Sequence, residues 1–87
     1  GDLQAVPPGP LPERSEIVAR MRELLGPCIA EPKRVQLHYL GQRVEVEIIL
    51  PLAPAAAELD AVRARRLAWL ARQPHYRNIR IFVEVAP

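Results

Sequence analysis

The side chains best able to do chemistry are few and scattered. Cys28 is the one thiol, Ser15 the one hydroxyl of its kind because threonine is absent, and His38 and His75 are the two imidazoles. Ser15 falls in the first turn of an expected helix, where a hydroxyl serves the free backbone N–H groups better than it serves as a nucleophile. Cys28 follows a proline in a connector with no histidine close by in sequence, and reads as a small packing residue. The histidines are too far apart to form a local metal motif, and the four glycines are isolated, so no phosphate-cradling loop exists. No nucleophile has a neighbouring base, which argues against an enzyme. A strongly perturbed carboxylate at Glu45 or Glu47 would be needed to revive that reading.

Composition narrows the classes further. With 87 residues the chain is one small domain, able to bury only about 60–65% of its unfolded surface, so a partner surface would add stability. A net charge of +2 is too weak, and aromatics at 5% too sparse, for a nucleic-acid platform. No run reaches the roughly 18–20 apolar residues of a membrane span, and no signal peptide is visible. A lone cysteine excludes an internal disulfide and suits a reducing compartment.

The elements that must position these residues follow from periodicity. Residues 1–10, "GDLQAVPPGP", are too rich in proline and glycine for a helix or strand and read as an extended tether to a domain over 11–87. From Pro12, the residues Ile17, Val18, Met21, Leu24 and Leu25 share one helical face, and Gly26-Pro27 stops the helix. "RVQLHYL" and "RVEVEII" both alternate, and Gly41-Gln42 between them suits a two-residue hairpin turn. That register pairs Val35 with Ile48, Leu37 with Val46 and Tyr39 with Val44, and sets Gln36 against Glu47 and His38 against Glu45. A second helix follows Pro51, with an apolar stripe of Leu59, Val62, Trp69 and Leu70. Arg63 and Arg66 stand in or beside that stripe, and either their stems snorkel along the core, the favoured reading, or they pair with acids elsewhere. The last strand runs from about Asn78 to Val85.

A strand–helix–strand crossover is right-handed and sets the last strand parallel to the second. The expected fold is therefore an α+β, ferredoxin-like αββαβ sandwich: a three-stranded mixed sheet with two helices on one face. Its other face is left open. There the middle strand presents Glu45, Glu47 and Ile49, and the last strand Arg80, Phe82 and Glu84. Glu–Arg pairs across the strands would neutralise part of this face, but Ile49 and Phe82 are apolar and outward, which reads equally as surface awaiting cover by a partner or as scattered surface apolars.

The order helix–strand–strand–helix–strand, the lead-in "DLQAVPP", the segment "GQRVEVEIIL", the helix "AELDAVRARRLAWL" and the terminal "NIRIFVEV" together resemble the cytosolic C-terminal domain of cation diffusion facilitator transporters. The resemblance covers nearly the whole chain. It implies a metallochaperone-like regulatory and dimerisation module on the cytoplasmic side of the membrane, tethered behind a membrane domain that exports divalent cations such as zinc in exchange for protons. It also implies a homodimer whose packing is tightened by metal. A stand-alone soluble metal chaperone or sensor of the same fold is the alternative reading.

The family's ligand positions carry over one by one. The histidine before the first strand aligns near Lys33, that of the middle strand with Ile49, and that opening the long helix with Asp60. The last strand's histidine and its following acid align with Phe82 and Glu84. Only Asp60 and Glu84 remain able to ligate, and two carboxylates near a lysine suit zinc poorly. The resemblance therefore implies a zinc or other divalent-cation site that is weak or absent, with Ile49 and Phe82 as partner-contact residues instead.

Overall fold

The computed structural model describes residues 9–84. Residues 1–8 of the expected tether, and Val85, lie outside the described residues. The elements are α1 (Arg14–Leu25), β1 (Arg34–Leu40), β2 (Arg43–Leu50), α2 (Ala56–Leu70) and β3 (Tyr76–Val83). The sheet order is β1-β2-β3, with β1 antiparallel and β3 parallel to β2. This is the expected αββαβ arrangement.

The hairpin register agrees with the alternation pattern at every pair, from Val35 with Ile48 to Tyr39 with Val44. Gly41 carries the positive φ of 64° at the first turn position, and no non-glycine residue has positive φ among the described residues. Glycine is thus needed at the first of the two turn positions, as in a type II′ connection.

One apolar cluster fills the space between sheet and helices. α1 contributes Ile17, Met21, Leu24 and Leu25, the strands contribute Val35, Val44, Val46, Ile48, Leu50, Tyr76 and Ile79, and α2 contributes Val62 as its one fully enclosed side chain among the described residues. Trp69 and Leu70 pack against the cluster from its edge. Because all the buried strand residues share one face, both helices cover the same side of the sheet, and the opposite side has no layer of its own.

β3 begins at Tyr76, earlier than alternation from Asn78 suggests. The register shifts beside Val44, so that Val44 meets Tyr76 and Glu45 meets Asn78, with Arg77 as the extra residue. Without this bulge, strict alternation back from Ile79 would turn Tyr76 to the open face. With it, both residues face the core. β3 also stops at Val83, with the Glu84 N–H donating to Leu50 O at 2.8 Å.

The arginines of α2 divide. Arg66 is half-buried: its stem lies along the core, but its Nη1 donates to Ile79 O at 3.0 Å and its Nε is enclosed with no partner among the described residues, so the head does not reach water as a snorkelling arginine's would. Arg63 takes the other of the two expected courses: it points outward and pairs with an acid, Asp60, at 3.7 Å. Position on the helix decides this, since Arg66 lies one turn beyond Val62 on the covered side.

Tyr76 sets an alkaline limit on the fold. Its ring meets Trp69 edge-on with centroids 4.4 Å apart, and burial, assisted by the Glu16 charge, pushes its phenol up from 10.0 to about 12. The folded state therefore favours the neutral phenol. Stability from this source is complete below pH 10 and is lost as pH rises towards 12, because the unfolded chain ionises first. Tyr76→Phe is expected to shrink the fall in stability over that interval, measured by urea unfolding against the parent protein at each pH. An equal fall in both would remove Tyr76 as its source.

Candidate functional site

The open face is organised in rows across the three strands. Arg34, Ile49 and Phe82 form the first row, Gln36, Glu47 and Arg80 the second, and His38, Glu45 and Asn78 the third. Charge dominates the second and third rows. Glu45 is approached from β3 by Arg80 at 3.6 Å and Arg77 at 3.8 Å. His38 Nε2 lies 2.9 Å from a Glu47 oxygen. The expected partner of His38 was Glu45, its direct opposite. The arginines of β3 hold Glu45 instead, and the imidazole reaches the diagonal neighbour, which lies within range on a twisted sheet.

The first row is apolar at Ile49 and Phe82, with Arg34 at its β1 end, and is bounded by a salt bridge. Phe82 is 45% exposed, as expected for an outward aromatic, while Ile49 is half-buried. Lys33 and Glu84 flank the same end of β2: the Lys33 N–H donates to Ile49 O and the Glu84 N–H to Leu50 O, each at 2.8 Å. From these anchors the Lys33 ammonium reaches both oxygens of Glu84, at 2.7 and 2.8 Å. Four of the five positions singled out from the sequence, Lys33, Ile49, Phe82 and Glu84, thus gather at one end of the sheet, where Ile49 and Phe82 face outward. Chain segments 51 residues apart meet there.

Asp60 does not join them. It lies near the start of α2, in the helix layer on the other side of the sheet, and its exposed carboxylate faces Arg63. Among the described residues no three His, Cys, Asp or Glu side chains converge as a metal would require. At the open end, the one carboxylate already has an ammonium as its counter-ion.

The remaining reactive residues sit apart. Cys28 is exposed in the turn after α1, which corrects its reading as a packing residue. Gly26-Pro27 ends the helix so abruptly that the next side chain leaves the core. Ser15 is exposed in the first turn of α1, and no side-chain hydrogen bond caps that terminus. His75 falls in a turn, where a solvated loop residue is expected, yet it is half-buried and its Nδ1 is enclosed with no partner among the described residues. It borders a cleft of about 560 Å³ with Glu13, Ser15, Glu16 and Tyr76.

Sequence reasoning missed one structural residue altogether. Arg65 donates from Nε to Leu24 O at 2.8 Å and from Nη2 to Leu25 O at 2.9 Å, closing the C-terminal end of α1 from the opposite helix. A helix end leaves such carbonyls open, and a cation there complements the helix dipole. Its spacing on α2 carries no signal of this, because the partners lie about 40 residues away.

No protein family, curated protein or solved structure matches the chain.

Proposed function

We propose that the chain is a cytosolic regulatory and dimerisation domain of a cation diffusion facilitator transporter in which packing has replaced the metal cluster. The single observation that most supports this reading is the shared location of Lys33, Ile49, Phe82 and Glu84 at one end of the sheet of an αββαβ fold, with Ile49 and Phe82 on its uncovered face. These are the residues aligned with ligand positions of that family. Here the Lys33 ammonium neutralises Glu84 as a bound cation would, and Ile49 with Phe82 supplies apolar surface in place of imidazoles. On this reading two protomers meet through the first row, and their relative position is passed through the N-terminal tether to a membrane domain. Divalent metal is not needed for the contact.

The test is the mass of the domain in solution by light scattering, at high micromolar concentration, with zinc and with chelator. A dimer insensitive to zinc is expected, and Phe82→Asp should convert it to monomer by placing an unpaired charge in the contact. A monomer under both conditions, or a dimer that Phe82→Asp leaves intact, would overturn the proposal.

A further inference from the structure

On the other side of the sheet, α1 and α2 enclose a cleft of about 210 Å³ lined by three guanidinium groups, Arg20, Arg65 and Arg72, against one carboxylate, Glu23. The three cations are not equivalent. Arg20 is held by Glu23 at 2.9 Å. Arg65 is fixed by its two bonds to the end of α1, which use only part of its five N–H donors and orient the rest. The α1 carbonyls offset some of its charge. Arg72 has no side-chain hydrogen bond or ion pair among the described residues. It sits just past α2, where its exposed guanidinium is free to bind. Trp69 lines the same cleft and offers a flat apolar surface beside the charges.

We propose that this cleft binds a phosphate monoester, with the phosphoryl group on Arg72 and the remaining donors of Arg65, and the ester's organic part against Trp69. A monoester carries close to two negative charges at neutral pH and three acceptor oxygens, and so can engage two guanidinium groups at once better than a carboxylate with two oxygens and one charge. The site is independent of the open sheet face, so it stands or falls separately from the dimerisation reading.

Trp69 is the only tryptophan, so its emission reports directly on the cleft. Titration with phenyl phosphate at low salt is expected to give a saturable change in emission that weakens as salt is added. Arg72→Gln should weaken binding about tenfold, the loss of one charge-assisted contact. Glu23→Gln should tighten it about two- to fivefold by releasing Arg20 from an exposed pair. A parallel arm uses vesicles of phosphatidylcholine with and without phosphatidic acid. A response to phosphatidic acid as well as to phenyl phosphate assigns the ligand to a lipid headgroup, and a response to phenyl phosphate alone assigns a soluble ester. No saturable change with either probe up to about 10 mM phosphate overturns the proposal, as does equal affinity in Arg72→Gln.

Discussion

Replacing Ile48 with alanine is expected to cost about 3–4 kcal/mol of folding free energy, the largest single-site loss in the domain. Ile48 is fully buried in the central strand, with Val35 on one side and Ile81 on the other. Both neighbours are held by strand ladders, so the surroundings cannot collapse into the space left by the lost carbons. A domain of this size has only about 4–13 kcal/mol in total. The substitution would therefore remove a large share of it, lowering the thermal midpoint by about 15–25 °C. Ile48→Val should cost about 1 kcal/mol, and the two together separate cavity formation from a general dislike of change at the site. Urea unfolding with an unchanged slope is the measurement. A loss under about 1 kcal/mol for alanine would mean that the helix layer is looser than its burial indicates.

Arg65→Met is expected to produce the second large loss, about 1.5–2.5 kcal/mol, although the residue is on the outside of the helix pair. The change keeps an apolar stem and removes two charge-assisted bonds to carbonyls that have no other way of being closed from within α1. Arg65→Lys should recover less than half, because an ammonium cannot reproduce a two-pronged fork. Hydrogen exchange adds a local readout: the last turn of α1 should lose protection before the sheet does. Gly26 supports the same contact from the other side. Its φ is 83°, and a Cβ there would come within 3.1 Å of Arg65 Nη2. If Arg65→Met leaves the urea midpoint unchanged, water serves the α1 carbonyls equally well.

The sheet and the first helix were legible because each segment carries one clear period. The hairpin was over-determined, since a single register satisfied both faces of β1 and β2. The outward placement of Ile49 and Phe82 followed from the same alternation. What escaped depended on geometry in three dimensions. The bulge at Arg77 has no local signature, and only the need to bring both Tyr76 and Ile79 inside reveals it. His38 and Glu45 were opposed correctly as backbone positions, but their side chains chose other partners because β3 brings two arginines to Glu45. Arg65 was invisible for a related reason: its role exists only once the two helices lie side by side. At the open end, the sequence placed Lys33 near a family position without indicating that it would reach across the sheet to Glu84.

The bulged, arginine-bearing β3 has a bearing on how the chain comes together in time. β2 acquires its first neighbour through a two-residue turn, but its second must wait until all of α2 has been made and folded back. In that interval β2 exposes an unpaired edge along Val44, Val46 and Ile48, the kind of segment through which nascent chains stick to one another. Glu45 and Glu47 interrupt it with two like charges that repel a second copy. Arg77 and Arg80 then arrive on the strand that closes the edge, and they approach Glu45 as the closure occurs. The charge on Glu45 thus operates while the edge is bare and is countered once the edge has been paired.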